Sequence, residues 1–302
     1  MRQALASLAG CFPREFEPEF YRSLYLDLES MTSSELRTHY EAHGIREGRR
    51  GSPGSDRAGF AALVPTDATI LEIGPFCNPL VKGPNVRYFD VLGHDGLVAR
   101  AQMLGLCADA CPQIDYVSHD GHLSVIDDTF DVVLSCHAIE HQVDLLGHLI
   151  AVGTILNEGG YYFIVLPDKR YCFDHFLAES TIADVLNAHY RNDKMHSLKS
   201  VIEHRALTTH NNLSAHWRGE HGVPRLQSDG ITTIRAAIKE YEAAAGAYID
   251  VHAWQFTAPS FRQLFKQLFE LSYSPLKPVR VYNPVCGTPE FCAILQKCPS
   301  CA

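Results

Sequence analysis

The run T-I-L-E-I-G-P-F-C-N-P at Thr69–Pro79 is a short apolar segment that breaks at a glycine, and the next apolar run, N-V-R-Y-F-D, ends on the carboxylate of Asp90. Short apolar runs bounded by turn residues are the pattern of strands buried on both faces. Two in succession, the first stopping at Gly74 and the second at an acid, describe an open α/β sheet with a ligand site at its strand ends. Glycine lets backbone approach a ligand closely, and an acid at the tip of strand two accepts hydrogen bonds from a ribose. A pyrophosphate would need G-x-G-x-x-G opening a long helix, because phosphates sit on the helix N-terminus. Here the loop is G-P-F-C-N-P, and Pro75 and Pro79 leave room for only a short helix before Val86. The loop suits a nucleoside ligand without phosphates.

The rest of the chain supports this architecture. Strands are expected at Thr69–Ile73, Val86–Phe89, about Tyr116–Ser118, Phe130–Ser135 and Tyr161–Leu166, the last preceded by a turn at N-E-G-G. Helices are expected between them at 95–105 and at Val143–Leu156. This alternation predicts a parallel sheet. Residues 167–250 break the rhythm with a polar, His-rich, partly helical stretch too long for an ordinary connection. A helix over Pro259–Leu271, with Phe261, Leu264, Phe265, Leu268 and Phe269 inward, then precedes strands at Val279–Tyr282 and Phe291–Leu295. The short connection between those two strands makes them an antiparallel hairpin. Ahead of the core, residues 1–50 read as a helical module: Thr32 and Glu35 form a capping box, Leu36, His39 and Tyr40 share a face, and Gly44 marks a stop. Residues 51–57 read as a linker and 58–302 as the main domain, with 167–250 a substrate-side insert or lid.

Composition narrows the partners. The 302 residues are 46% hydrophobic and 20% charged, enough for one large α/β domain plus a small addition. A net charge of −9 disfavours nucleic acid, whose binders carry a basic surface. No run approaches the ~18 apolar residues of a membrane span. The N-terminal M-R-Q-A-L-A-S-L-A-G-C has a weak apolar region closely followed by Glu15, Glu17 and Glu19, so a cytoplasmic protein is expected. The ten cysteines are scattered in apolar runs and read as reduced thiols. Cys298 and Cys301 form a C-x-x-C that is either a zinc half-site or redox pair or, the preferred reading, a frayed tail, since no second pair completes a site.

Four elements in order carry a family likeness: I-L-E-I-G-P at 70–75, Asp90, D-D-T-F-D-V-V-L-S-C-H-A-I-E-H at 127–141, and L-N-E-G-G-Y-Y-F-I-V-L-P at 156–167. From about Ala58 to Leu295 the chain resembles class I methyltransferases dependent on S-adenosylmethionine (SAM), of the type 11 pattern. The segments P-D-K-R-Y-C-F-D at 167–174, A-H-W at 215–217 and H-A-W-Q-F-T-A-P-S-F at 252–261 resemble a bacterial subgroup found among glycan-assembly enzymes. The prefix at 27–49 resembles a helical module attached to bacterial glycosyltransferases. These resemblances imply a Rossmann-like sheet, SAM as cofactor, a sugar-hydroxyl acceptor, and a glycosyltransferase partner for the prefix.

The resemblance maps roles onto residues. Glu72 would hold the cofactor's amino group directly or through water, Gly74 would give backbone access, and Ile73 and Pro75 beside it are further cofactor-binding candidates. Asp90 would take the ribose hydroxyls, with Val91 a further cofactor contact, Asp120 and Gly121 would meet the adenine, and His137 would lie where the methionine end and the acceptor meet; Asp90 as a solvated loop acid and Asp120 as a turn residue are the plain alternatives. A neutral sugar hydroxyl needs a positioned base. Among sixteen histidines, His252 and His216 are favoured, beside Trp254 and Trp217, which would stack on a sugar ring. Asp174 is a further base or base-orienter, Arg170 would grip an acidic sugar or a nucleotide-diphosphate carrier, and Tyr171 is a further substrate-binding candidate; the alternative for this stretch is a salt-bridged lid anchor. His204, His210 and His216 recur at six-residue spacing, which does not place them on one helical face, and no metal is expected. Two other functions remain open: methyl transfer to an N, S or carboxyl acceptor of a small metabolite, and a non-catalytic scaffold of the same fold.

Overall fold

The computed structural model describes residues 12–298. The expectations for the N-terminal apolar stretch and for Cys301 lie outside them. Helices α1 (Pro18–Leu24) and α2 (Ser33–His39) form the prefix. Thr32 and Glu35 make the expected reciprocal cap, with the Thr32 N–H donating to the Glu35 carboxylate at 2.8 Å. Leu36 and Tyr40 pack with Phe16, Tyr21 and Leu28 in a small core of their own. Gly44 does not end the helix. The chain runs on through a π turn at Tyr40–Gly44, and the left-handed residue is Gly48 at φ +62°. Gly44 instead lies where a Cβ would meet the Tyr21 hydroxyl and the Tyr40 ring, so its lack of a side chain serves packing. The stretch 51–57 is tucked in as well: Ser52, Gly54 and Ser55 are buried, and Arg57 pairs with Glu290 at 2.9 and 2.6 Å.

After α3 (Arg57–Ala61) come β1 (Ile70–Ile73), β2 (Val86–Asp90), α4 (His94–Met103), β3 (Tyr116–Val117), β4 (Phe130–Cys136), α5 (Leu145–Ile155) and β5 (Leu156–Pro167). The insert carries α6 (Ile182–Arg191), α7 (Leu198–Ile202), α8 (Leu213–Trp217), α9 (Arg225–Asp229) and α10 (Thr232–Ala244). The chain closes with α11 (Ala258–Glu270), β6 (Leu276–Tyr282) and β7 (Glu290–Lys297). The seven strands form one sheet in the order β3-β2-β1-β4-β5-β7-β6. The first five are parallel, and β7 is antiparallel to both β5 and β6. This is the expected Rossmann-like arrangement with a C-terminal hairpin. Because β4 returns beside β1, the chain switches direction there and opens a crevice at the strand C-termini.

Both faces of the sheet are covered, which is why its strands are apolar throughout. Val133, Tyr162 and Ile164 point to one face under α5 and α11, while Val132, Leu134, Tyr161 and Phe163 point to the other with Phe12, Phe60 and Val64. Each such side chain contributes about 1.5–3 kcal/mol of burial. Four details differ from expectation. No helix forms between Gly74 and Val86, only turns, because the prolines remove donors. Strand β5 starts at Leu156, directly after α5, and N-E-G-G lies within it beside a register shift, with Gly159 at φ +77°. Phe269 is half-exposed in a shallow cleft with Arg262, Lys266 and Lys277. Cys77 and Cys111 form a disulfide beside Leu97 and Ala101 of α4, so the expectation of ten reduced thiols fails at this pair. No helix among the described residues is long and apolar enough to cross a membrane.

Candidate active site

A cleft of about 360 Å³ opens at the C-terminal ends of β1, β2 and β4. Its floor is Ile73, Gly74, Phe89 and Asp90, and its sides are Phe76, Val91, Gly121, Leu123, His137 and His141. Gly74 sits at φ +69° on this floor, a conformation that costs glycine nothing. Asp90 is 8% exposed, and one of its oxygens accepts the Leu92 N–H at 3.1 Å. Burial raises its pKa, and backbone N–H groups of Leu92, Val91 and Phe76 oppose the rise. A buried carboxylate held at a strand tip with spare acceptor capacity suits a pair of vicinal hydroxyls.

Three expected residues do not reach the cleft. Glu72 is buried, and its oxygens accept the N–H groups of Leu80 (2.7 Å) and Val81 (3.2 Å), so it ties down the loop after β1. Pro75 is not among the lining residues. Asp120 faces solvent and accepts from the Ser118 hydroxyl and the His122 N–H, bonds that lower its pKa and close its own turn. Gly121, at φ +74°, does line the cleft.

The β4 end of the cleft is crowded with charge. His137 sits at φ +50°, with its N–H on the Val165 carbonyl. Its Nε2 is 2.7 Å from Glu290, and its Nδ1 is 3.5 Å from Glu140. Burial opposes the imidazolium, but these two carboxylates raise the pKa to about 9. Glu290, also clamped by Arg57, is lowered to about 2 against its own burial. Behind them, His252 Nδ1 is 2.6 Å from the Asp174 carboxylate, and its ring meets His141 edge-on at 4.8 Å. The segment carrying His252 is laid across the sheet edge by main-chain bonds, with the Ala253 N–H on the Glu140 carbonyl at 2.7 Å and the Lys169 N–H on the Phe256 carbonyl at 2.9 Å. His252 and Asp174 therefore come together, behind the cleft wall.

The insert divides the remaining candidates. Tyr171 and Trp217 stack at 3.8 Å with 6° between their planes, and Trp217 donates to the Thr288 carbonyl. Arg170 is held bidentate by Asp168 at 2.8 and 2.7 Å, the salt-bridged anchor. His216 is buried, donating through Nε2 to the His210 carbonyl (3.0 Å), with Nδ1 3.0 Å from His221 Nδ1. Trp254 lies in the main core with its indole N–H on the Gln142 carbonyl, so it cannot offer a face to a sugar.

Residue-by-residue reading overlooked Glu140, His141, Tyr248 and Asp250. The signal for the first two was available: His137, Glu140 and His141 spell H-x-x-E-H directly after strand four. Tyr248 and Asp250 carried none, because the insert delivers them to the cleft through the Arg100–Asp250 ion pair at 2.9 Å.

No family model and no curated protein matches the chain. Solved structures do. Mitomycin 7-O-methyltransferase MmcR is 14% identical over 90% of this chain and 60% of its own, with TM-score 0.38. The CurJ carbon methyltransferase is 10% identical over 80% and 54%, with TM-score 0.39. An S-adenosylmethionine-dependent methyltransferase from Clostridium acetobutylicum is 17% identical over 37% and 47%, with TM-score 0.25. This chain thus spans 47%, 54% and 60% of those three chains.

Proposed function

We propose that the chain is a SAM-dependent O-methyltransferase acting on a saccharide hydroxyl. The observation that carries the cofactor is Gly74 at φ +69° beside the buried Asp90 on the floor of one cleft. The lining fits the group: Asp90 would take the ribose hydroxyls, Val91, Gly121 and Leu123 the adenine, and the backbone at Gly74 and Phe76 the amino-acid tail. The cofactor supplies an electrophilic methyl on a sulfonium. The protein's part is to hold the acceptor oxygen about 3–3.5 Å from that carbon and in line with it. His137, protonated at neutral pH, is not a base; its charge is spent on Glu140 and Glu290. What supports a saccharide is the half-buried Tyr171–Trp217 stack after β5, an amphipathic surface of the kind that packs on a sugar ring.

Titration calorimetry with S-adenosylhomocysteine tests the reading. Micromolar binding is expected. Asp90→Ala removes charge-assisted hydrogen bonds of about 1.5–3 kcal/mol each and should weaken binding by about 100-fold or more without unfolding the protein. Unchanged affinity in that variant refutes the cofactor assignment. A wild-type chain that ignores millimolar ligand favours the scaffold reading.

A further inference from the structure

Glu140 is fully buried at the end of β4, and neither of its carboxylate oxygens has a hydrogen-bond partner. His137 Nδ1, 3.5 Å away, meets it as an ion pair, and a buried carboxylate left without hydrogen bonds is still costly, by several kcal/mol even after relaxation. Two further imidazoles stand around it. His141 lies on the cleft wall, with Nδ1 lacking a hydrogen bond and 3.3 Å from Asp250 Oδ1. His252 has Nδ1 committed to Asp174 at 2.6 Å, which leaves Nε2 as its lone pair. Glu140, His141 and His252 each present one donor atom, all within 4.8 Å of one another. We propose that these three residues bind a divalent transition-metal ion at the acceptor end of the cleft.

The geometry is close to what such an ion needs. Bonds of about 2.0–2.2 Å set donor atoms roughly 3–4 Å apart, so sub-ångström side-chain shifts close the site. Two nitrogens and one oxygen suit zinc or iron(II), and exclude magnesium and calcium, which prefer all-oxygen sites. The support is also built. Asp174 on His252 makes the carboxylate–histidine pair that orients metal ligands, and His196 donates to the His141 carbonyl at 3.0 Å. Three protein ligands leave positions open, and His141 puts them at the cleft. Resting on the methyltransferase reading, the ion's role is to coordinate the acceptor's oxygen and make its hydroxyl more acidic. A second trio, His175, His216 and His221, also satisfies the spacing, but its rings are engaged with backbone carbonyls and each other.

Zinc chloride titrated into the chelator-stripped full chain tests this. Zinc binds nitrogen–oxygen sites more tightly than manganese or iron(II), so it reports the site whichever ion is native. One tightly bound zinc per chain is expected. Glu140→Gln should lose it, and Asp174→Asn should weaken it 10–100-fold. His221→Ala should retain it. Zinc should raise the melting temperature of the wild type and not of Glu140→Gln. A wild type that binds no zinc, or zinc lost only with His221→Ala, overturns the proposal. The homocysteine-product titration is independent of it: normal cofactor affinity with no zinc site discards the ion and leaves the methyltransferase.

Discussion

Glu72 shows how a residue's place can be legible while the direction of its side chain is not. Its position at the end of a strand beside a ligand loop was legible, because an acid in an apolar run is conspicuous. Which way its carboxylate turns depends on where the loop's N–H groups end up, and no local pattern encodes that. Burial raises its pKa to about 7, against the pull of the Leu80 and Val81 N–H groups. A carboxyl raised in the folded state contributes fully below its unfolded value, near 4.5, and that contribution is lost as pH rises through 7. Between pH 5 and pH 8 the wild type should therefore lose up to about 3 kcal/mol relative to Glu72→Gln. Urea melts of both proteins at both pH values measure this, and parallel pH profiles would exclude it. Gly74 and Asp90 were easier, since backbone sterics and a strand tip leave few roles for either.

Among the elements, strands β1 to β4 were recognised almost residue for residue, the starts of β5 and β6 and the helix ends less well. Helix α11 begins at Ala258 because Thr257 caps it, exchanging bonds with Ser260. The Thr257 hydroxyl also donates to Glu179 at 2.6 Å, joining the insert to the helix. Thr257→Ala should cost about 1 kcal/mol and speed proteolysis of the insert. A change under about 0.3 kcal/mol in denaturant melts would show the cap to be idle. The insert was legible only as a break in rhythm. Its helices are short, and they are placed by ion pairs such as Arg205–Glu240 at 2.8 Å, whose partners stand far apart in the chain.

At the scale of the whole molecule, the prefix is joined to the sheet more firmly than a detachable module. Phe12 is 5% exposed, edge-on to Tyr161 at 5.0 Å and Phe163 at 5.7 Å. Phe12→Ala should cost about 3 kcal/mol, and removing residues 1–50, which opens that face, at least as much. Full thermal stability in the truncated chain would restore the picture of a separable module. The fold itself was determined by sequence alone: apolar runs of strand length, broken by glycine and alternating with helical segments, admit few other sheets. The floor of the cleft came with it, since Gly74 and Asp90 lie at strand ends that the pattern already locates. What only the tertiary structure decided is the company each polar side chain keeps. It set Trp254 into the core, turned Asp120 to solvent, and joined Cys77 to Cys111. It also brought His252, from the far end of the insert, against Glu140 and His141. Such meetings depend on long-range packing of distant segments, which periodicity and spacing do not record.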